Sequence, residues 1–167
     1  MRTGKLAPFL AGLGVLAGAL SASGAETPFG WRVGTTAWTF NRFSFFEAVD
    51  KTASAGLGYI EAFEGQRVRP DSDLKLTAEL PDQVIQEIRA KLEQSKVLLP
   101  GIYIGAIPGE EEACRRTFEF ARKLGVQYIV SEPAPEAFDL VERFCGEYAI
   151  NVAIHNHPEG KSRYWSP

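Results

Sequence analysis

The chain predicts an α/β fold built on a parallel sheet. Two observations carry this. Short apolar runs rich in β-branched and aromatic residues alternate with longer amphipathic runs, in the order βαβαβαβαβ. The short runs are also nearly continuous in apolar residues, as strands covered on both faces are. Right-handed crossovers can curl such a chain into an open doubly wound sheet or into a barrel. A third observation favours the barrel. The run GTTAWTF after the first strand lacks both G-x-G-x-x-G and G-x-x-x-x-G-K-[ST], while polar and aromatic residues recur at several strand ends.

Taken in order, WRVGTTAWTF (31–40) is the first predicted strand. The stretch SFFEAVDKTASAG has Ser44 and Glu47 in capping-box spacing, Phe46, Val49 and Ala53 at helical spacing, and Gly56 as the stop. The second strand is LGYIEAFEG (57–65). A polar loop with Pro70 follows, then a helix over 81–95 with Val84, Ile88 and Leu92 in one stripe. The third strand, 97–107, carries Pro100 and Gly101, which predict a bulge or a late start. In GEEEACRRTFEFARKLG the acids lie in the first turn and the bases in the last, complementing the helix dipole. VQYIVSEP (126–133), PEAFDLVERFCGEYAI and NVAIHNHPE complete the series.

The first 25 residues differ. Arg2 and Lys5 precede an uncharged Leu6–Leu20 run, and Ser23 and Ala25 are small residues at the −3 and −1 positions of a cleavage site. This is the order of a secretory signal peptide over 1–25. The expected protein is exported, periplasmic or extracellular, without a stable membrane span, because the run is shorter than the roughly 20 residues a span needs. The net charge of −3 gives no electrostatic reason to expect a nucleic-acid partner. Cys114 and Cys145 cannot make a disulfide framework and read as buried free thiols.

In parallel α/β folds the chemistry collects at the C-terminal ends of the strands. Those ends carry Trp38, Glu61, Glu64, Glu132, His155 and His157. His155 and His157 are the chain's two histidines, and strand alternation places both on one face, with Ala153 below and His155 the deeper. Either can bind a metal, or one can bind metal while the other meets a substrate hydroxyl. Core packing is the competing account. The letters H-N-H invite a nuclease reading, but they fall in one strand end after four β/α units rather than across a ββα module. Glu61 and Glu132 are candidate catalytic carboxylates, since a charge in an apolar strand is costly unless paired or bound. Trp38, an aromatic in a strand, reads first as a core residue, with stacking on a sugar ring as the competing account.

The segments WRVGTTAWTF, GLGYIEAFEGQ, YIVSEP and VAIHNHPE, in this order and spacing, resemble the sugar phosphate isomerase/epimerase proteins with a xylose-isomerase-like TIM barrel. The resemblance covers Trp31 to the end. It implies a divalent metal (Mn, Mg, Zn or Co) in the barrel mouth and proton transfer next to a sugar carbonyl. Some relatives cleave or hydrate oxidised sugars instead. On this reading Glu61 and Glu132 are catalytic, Trp38 and His155 contact substrate, and His157 binds metal. The partner is a small sugar or sugar derivative, and an oligomer stays possible. The chain departs from the family in length. Its 167 residues fall short of the roughly 250 of a (β/α)8 barrel. The expected domain, 26–167, is therefore a partial barrel truncated after strand 5, without the strands that supply the family's remaining metal ligands. A non-catalytic carbohydrate-binding or degenerate barrel is the alternative.

Overall fold

The computed structural model describes residues 30–166, so the expected signal peptide at 1–25 lies outside the described residues. The strands are β1 (Gly34–Thr36), β2 (Tyr59–Phe63), β3 (Leu98–Tyr103), β4 (Tyr128–Ser131) and β5 (Asn151–Ile154). Between them lie α1 (Phe45–Ser54), α2 (Asp82–Ser95), α3 (Glu111–Leu124) and α4 (Phe138–Tyr148). All strand pairs are parallel and their order is β1-β2-β3-β4-β5. This order never reverses, so the sheet has no switch point of the doubly wound kind. Each helix packs on the next, α1 on α2, α2 on α3 and α3 on α4, forming one continuous layer.

Local chemistry explains the elements. Ser44 and Glu47 form the expected capping box, with the Glu47 carboxylate accepting from Ser44 N at 2.8 Å. Gly56, at φ +73°, follows the end of α1 in the left-handed conformation that glycine adopts at least cost. In α2, Val84, Ile88 and Leu92 are buried as the stripe predicts, with Ile85 beside them. Glu110 caps α3 by accepting from the backbone N–H groups of Glu112 and Ala113. The core lies between sheet and helices. Ile60, Ala62, Ile102 and Ile129 from the strands meet Phe45, Val49, Ile88, Phe118 and Phe144 from the helices, all fully enclosed.

Two expectations need correction. The first strand is three residues long rather than the run 31–40. The Thr36 side chain accepts from Trp38 N at 3.3 Å and starts a 3-10 turn over Ala37–Phe40, which takes Trp38 out of the ladder. The thiols also differ from each other. Cys114 is buried, with its pKa pushed up to about 11 by burial, whereas Cys145 is only half-buried.

Of the bulge or late start predicted at Pro100 and Gly101, the bulge is present. Tyr59 pairs with Leu98 but Glu61 pairs with Gly101, so β3 holds one extra residue there. After it, alternation puts Gly101 and Tyr103 on the face away from the helices. Tyr59, Glu61 and Phe63 of β2, Tyr128 and Val130 of β4, and Asn151 and Ala153 of β5 share that face. It is therefore polar and aromatic where the helix-side face is aliphatic. Among the described residues no helix is long and apolar enough to cross a membrane.

Candidate metal centre

The C-terminal ends of β4 and β5 bring Glu132, His155 and His157 together. Each offers one ligand atom, and these atoms lie within 4.8 Å of one another. The placement follows from the ladder. Glu132 N–H donates to Gly105 O at 3.2 Å and His155 N–H donates to Ser131 O at 3.0 Å, so both strands continue their pairing one residue past the regular strand. Alternation then directs Glu132, His155 and His157 to the face away from the helices.

His157 Nε2 lies 2.9 Å from Glu132 Oε1. The other carboxylate oxygen, Oε2, accepts from the Ser162 hydroxyl. The rings of His155 and His157 meet edge to face, 4.6 Å apart, and His155 packs edge-on against Tyr103 with centroids 5.0 Å apart. Both histidines are half-buried. His157 is the one paired with the carboxylate, and His155 packs against the rings of Tyr103 and His157.

An aromatic row leads away from the cluster. Tyr103 pairs in register with Phe63, and Trp38 stands edge-on against Phe63 with centroids 5.0 Å apart. Trp38 is 61% exposed among the described residues. Burial raises the Tyr103 pKa, with Glu132 and Glu64 adding to the rise, so the phenol keeps its proton at neutral pH.

Glu61 lies lower on the same face, at the level of Gly101. Burial raises its carboxyl pKa, and a hydrogen bond from the Tyr128 hydroxyl and the nearby His155 act the other way. The geometry depends on a missing side chain. A Cβ on Gly101 would lie 2.1 Å from Cε2 of Tyr128, so the tyrosine ring crosses β3 through the space that glycine leaves. Tyr59, Glu61, Gln127 and Tyr128 line a cavity of about 390 Å³ there together with Arg32. Desolvation of the Glu64 carboxyl raises its pKa, and the neighbouring Glu79 adds to the rise.

Tyr103, Tyr128, Ser162 and Tyr164 were not among the expected site residues. The first two were within reach of strand alternation once the bulge was placed. The last two lie in the loop after β5, which folds back over Glu132.

No family model matches the chain, and no curated protein matches it. Its structure is similar to the crystal structure of an uncharacterized protein from Parabacteroides distasonis ATCC 8503, with a TM-score of 0.71 and 31% sequence identity. The similarity covers 77% of this chain and 54% of that one, so this chain spans about half the length of the protein it matches.

Proposed function

We propose that the chain is part of a metal-dependent (β/α)8 barrel that moves a proton next to the carbonyl of a sugar or sugar derivative. The single observation that carries this reading is the Glu132–His155–His157 cluster at the C-terminal end of a parallel sheet. The unreversed strand order and the single helix layer support a barrel over an open sheet. The greater length of the similar bacterial protein leaves room for further β/α units.

The donor set, one carboxylate oxygen and two imidazole nitrogens, suits Mn²⁺, Co²⁺ or Zn²⁺ better than Mg²⁺. Glu132, His155 and His157 would hold the ion, and the remaining positions would be left to substrate, water or further residues. A cation bound there polarises a carbonyl oxygen. Glu61 is the better proton-moving group of the two expected carboxylates. Its raised pKa brings it nearer the operating pH, where a general acid or base works best. Glu132 is then assigned to cation binding. Trp38 offers a flat apolar face to one side of a sugar ring, and the phenol of Tyr103 is a neutral hydrogen-bond donor beside His155. The n-, h- and c-region order of residues 1–25 supports export.

The test is calorimetric titration of the full chain with Mn²⁺ and Zn²⁺, followed by proton NMR of ketoses and aldoses in D₂O. The expected result is one bound ion per chain, lost in Glu132→Ala. The NMR should show deuterium entering at the carbon next to the carbonyl of one sugar, at a rate reduced at least about 100-fold by Glu61→Gln. Ion binding that survives Glu132→Ala would place the metal elsewhere and remove the basis of the proposal.

A further inference from the structure

We infer that Ser162 is the positioning residue of Glu132, and that the segment from His157 to Tyr164 is a strap that sets the spacing of the three donors before a cation arrives. The inference rests on the metal reading above and extends it to residues outside the donor set.

A glutamate side chain is long, and its carboxylate can present either oxygen to an ion. Here both oxygens are occupied in a defined order. Oε1 lies 2.9 Å from His157 Nε2, and Oε2 accepts from the Ser162 hydroxyl. The hydroxyl is itself fixed, because Ser162 Oγ also accepts the Tyr164 backbone N–H at 3.0 Å. Its proton is thereby directed to Glu132. Tyr164 closes the circuit twice. Its backbone carbonyl accepts the His157 N–H at 3.1 Å, and its hydroxyl donates to the carbonyl of Pro133, the residue after Glu132. Its ring packs against Phe138 at the start of α4.

The return of the chain has its own local cause. Lys161 N–H donates to Pro158 O at 3.1 Å, and Gly160 takes φ +77° with open space around it. Backbone conformation rather than room is what calls for glycine there. Ser162 and Tyr164 therefore hold a backbone on one side of the cluster and a carboxylate on the other. With Ser162 on Oε2, Oε1 would be the oxygen left to an ion held together with the two imidazoles. Partners that orient a metal ligand in this way change affinity by about 10- to 100-fold when removed.

A purely structural strap would predict something else. It would tie down the end of the chain without altering the ion. The experiment measures Mn²⁺ and Zn²⁺ affinity, and the melting temperature without ion, for the full chain and for Ser162→Ala, Ser162→Thr and Tyr164→Phe. Ser162→Ala should bind each ion about 10- to 100-fold more weakly with an unchanged ion-free melt. Ser162→Thr keeps the hydroxyl on a half-exposed side chain and should restore binding. Tyr164→Phe should fall between them. Affinity of Ser162→Ala within about twofold of the parent would overturn the inference and leave the metal reading intact. So would a loss that threonine does not restore, or one matched by a fall in the ion-free melt. A parent chain that binds neither ion would overturn the metal reading itself.

Discussion

Two carboxylates stand on the same face of one sheet, two levels apart, and the molecule treats them differently. Glu132, at the strand ends, faces two imidazoles and is held by the Ser162 hydroxyl. Glu61, at the level of the β3 bulge, is held by the Tyr128 hydroxyl and has its pKa raised by burial. Each accepts one hydroxyl hydrogen bond. The difference lies in the second neighbour. On the proposed reading, nitrogen donors beside Glu132 suit it to hold a cation, and the half-buried position of Glu61 suits it to carry a proton. Environment rather than residue type assigns the role.

The sharpest way to break this comparison is to remove a partner from each side. His157→Ala should weaken Mn²⁺ or Zn²⁺ binding by about 100-fold or more, equivalent to at least about 2.7 kcal/mol, as expected on loss of a direct ligand. Its melting temperature should change little, since the side chain is 38% exposed. Tyr128→Phe should do the reverse. It should leave ion binding unchanged and cost about 1 kcal/mol in denaturant unfolding through the lost hydrogen bond to Glu61. Equal effects of both variants on ion binding would mean the two carboxylates act as one site.

The next test addresses the glycine under the lower pair. Gly101→Ala puts a methyl group where the Tyr128 ring lies. The ring must leave its place across β3 and lose Glu61, at a cost of about 1–3 kcal/mol for overpacking. The midpoint of urea unfolding measures it. A parent-like midpoint would show that the ring has another comfortable position and that the Glu61–Tyr128 pair is not built into the fold.

The smallest expected effect is on pH dependence. The raised pKa of Glu61 means that the folded state holds its proton more tightly than the unfolded state does. That contribution is fully present below the unfolded carboxylate pKa of about 4.3 and is lost as pH rises through the folded value. Glu61→Gln has no such proton to lose. Its melting temperature should exceed the parent's at pH 8, and the gap should shrink as pH falls towards 4. A gap that stays constant across this range would mean Glu61 is solvated like a surface acid, and the contrast with Glu132 would fail.

Element type and order were legible because they depend on short-range patterns. The Ser44–Glu47 box, the Val84–Ile88–Leu92 stripe and the Gly56 stop each act within a turn or two. The pairing of His155 with His157 was equally legible, because strand alternation is a property of the backbone. Trp38 was misjudged as a strand residue because the Thr36 hydroxyl competes for the backbone that the ladder would use. What folds over the strand ends, Ser162 and Tyr164, was not in the pattern.

By itself, then, the amino-acid order determined the parallel α/β class, the elements, the bulge at Pro100–Gly101 and the residues that gather at the strand ends. Periodicity and capping are local, so sequence spacing is enough to read them. Only the tertiary structure decided which ends meet. Glu132 and His157 are 25 positions apart and join because β4 and β5 are neighbours in register. Glu61 and Tyr128 join because Gly101 leaves room for a ring between their strands. Ser162 and Tyr164 enter the site because the chain after β5 turns back at Gly160 and is held by hydrogen bonds to residues about 30 positions earlier. Contacts of that separation depend on the packing of whole elements, and no local spacing encodes them.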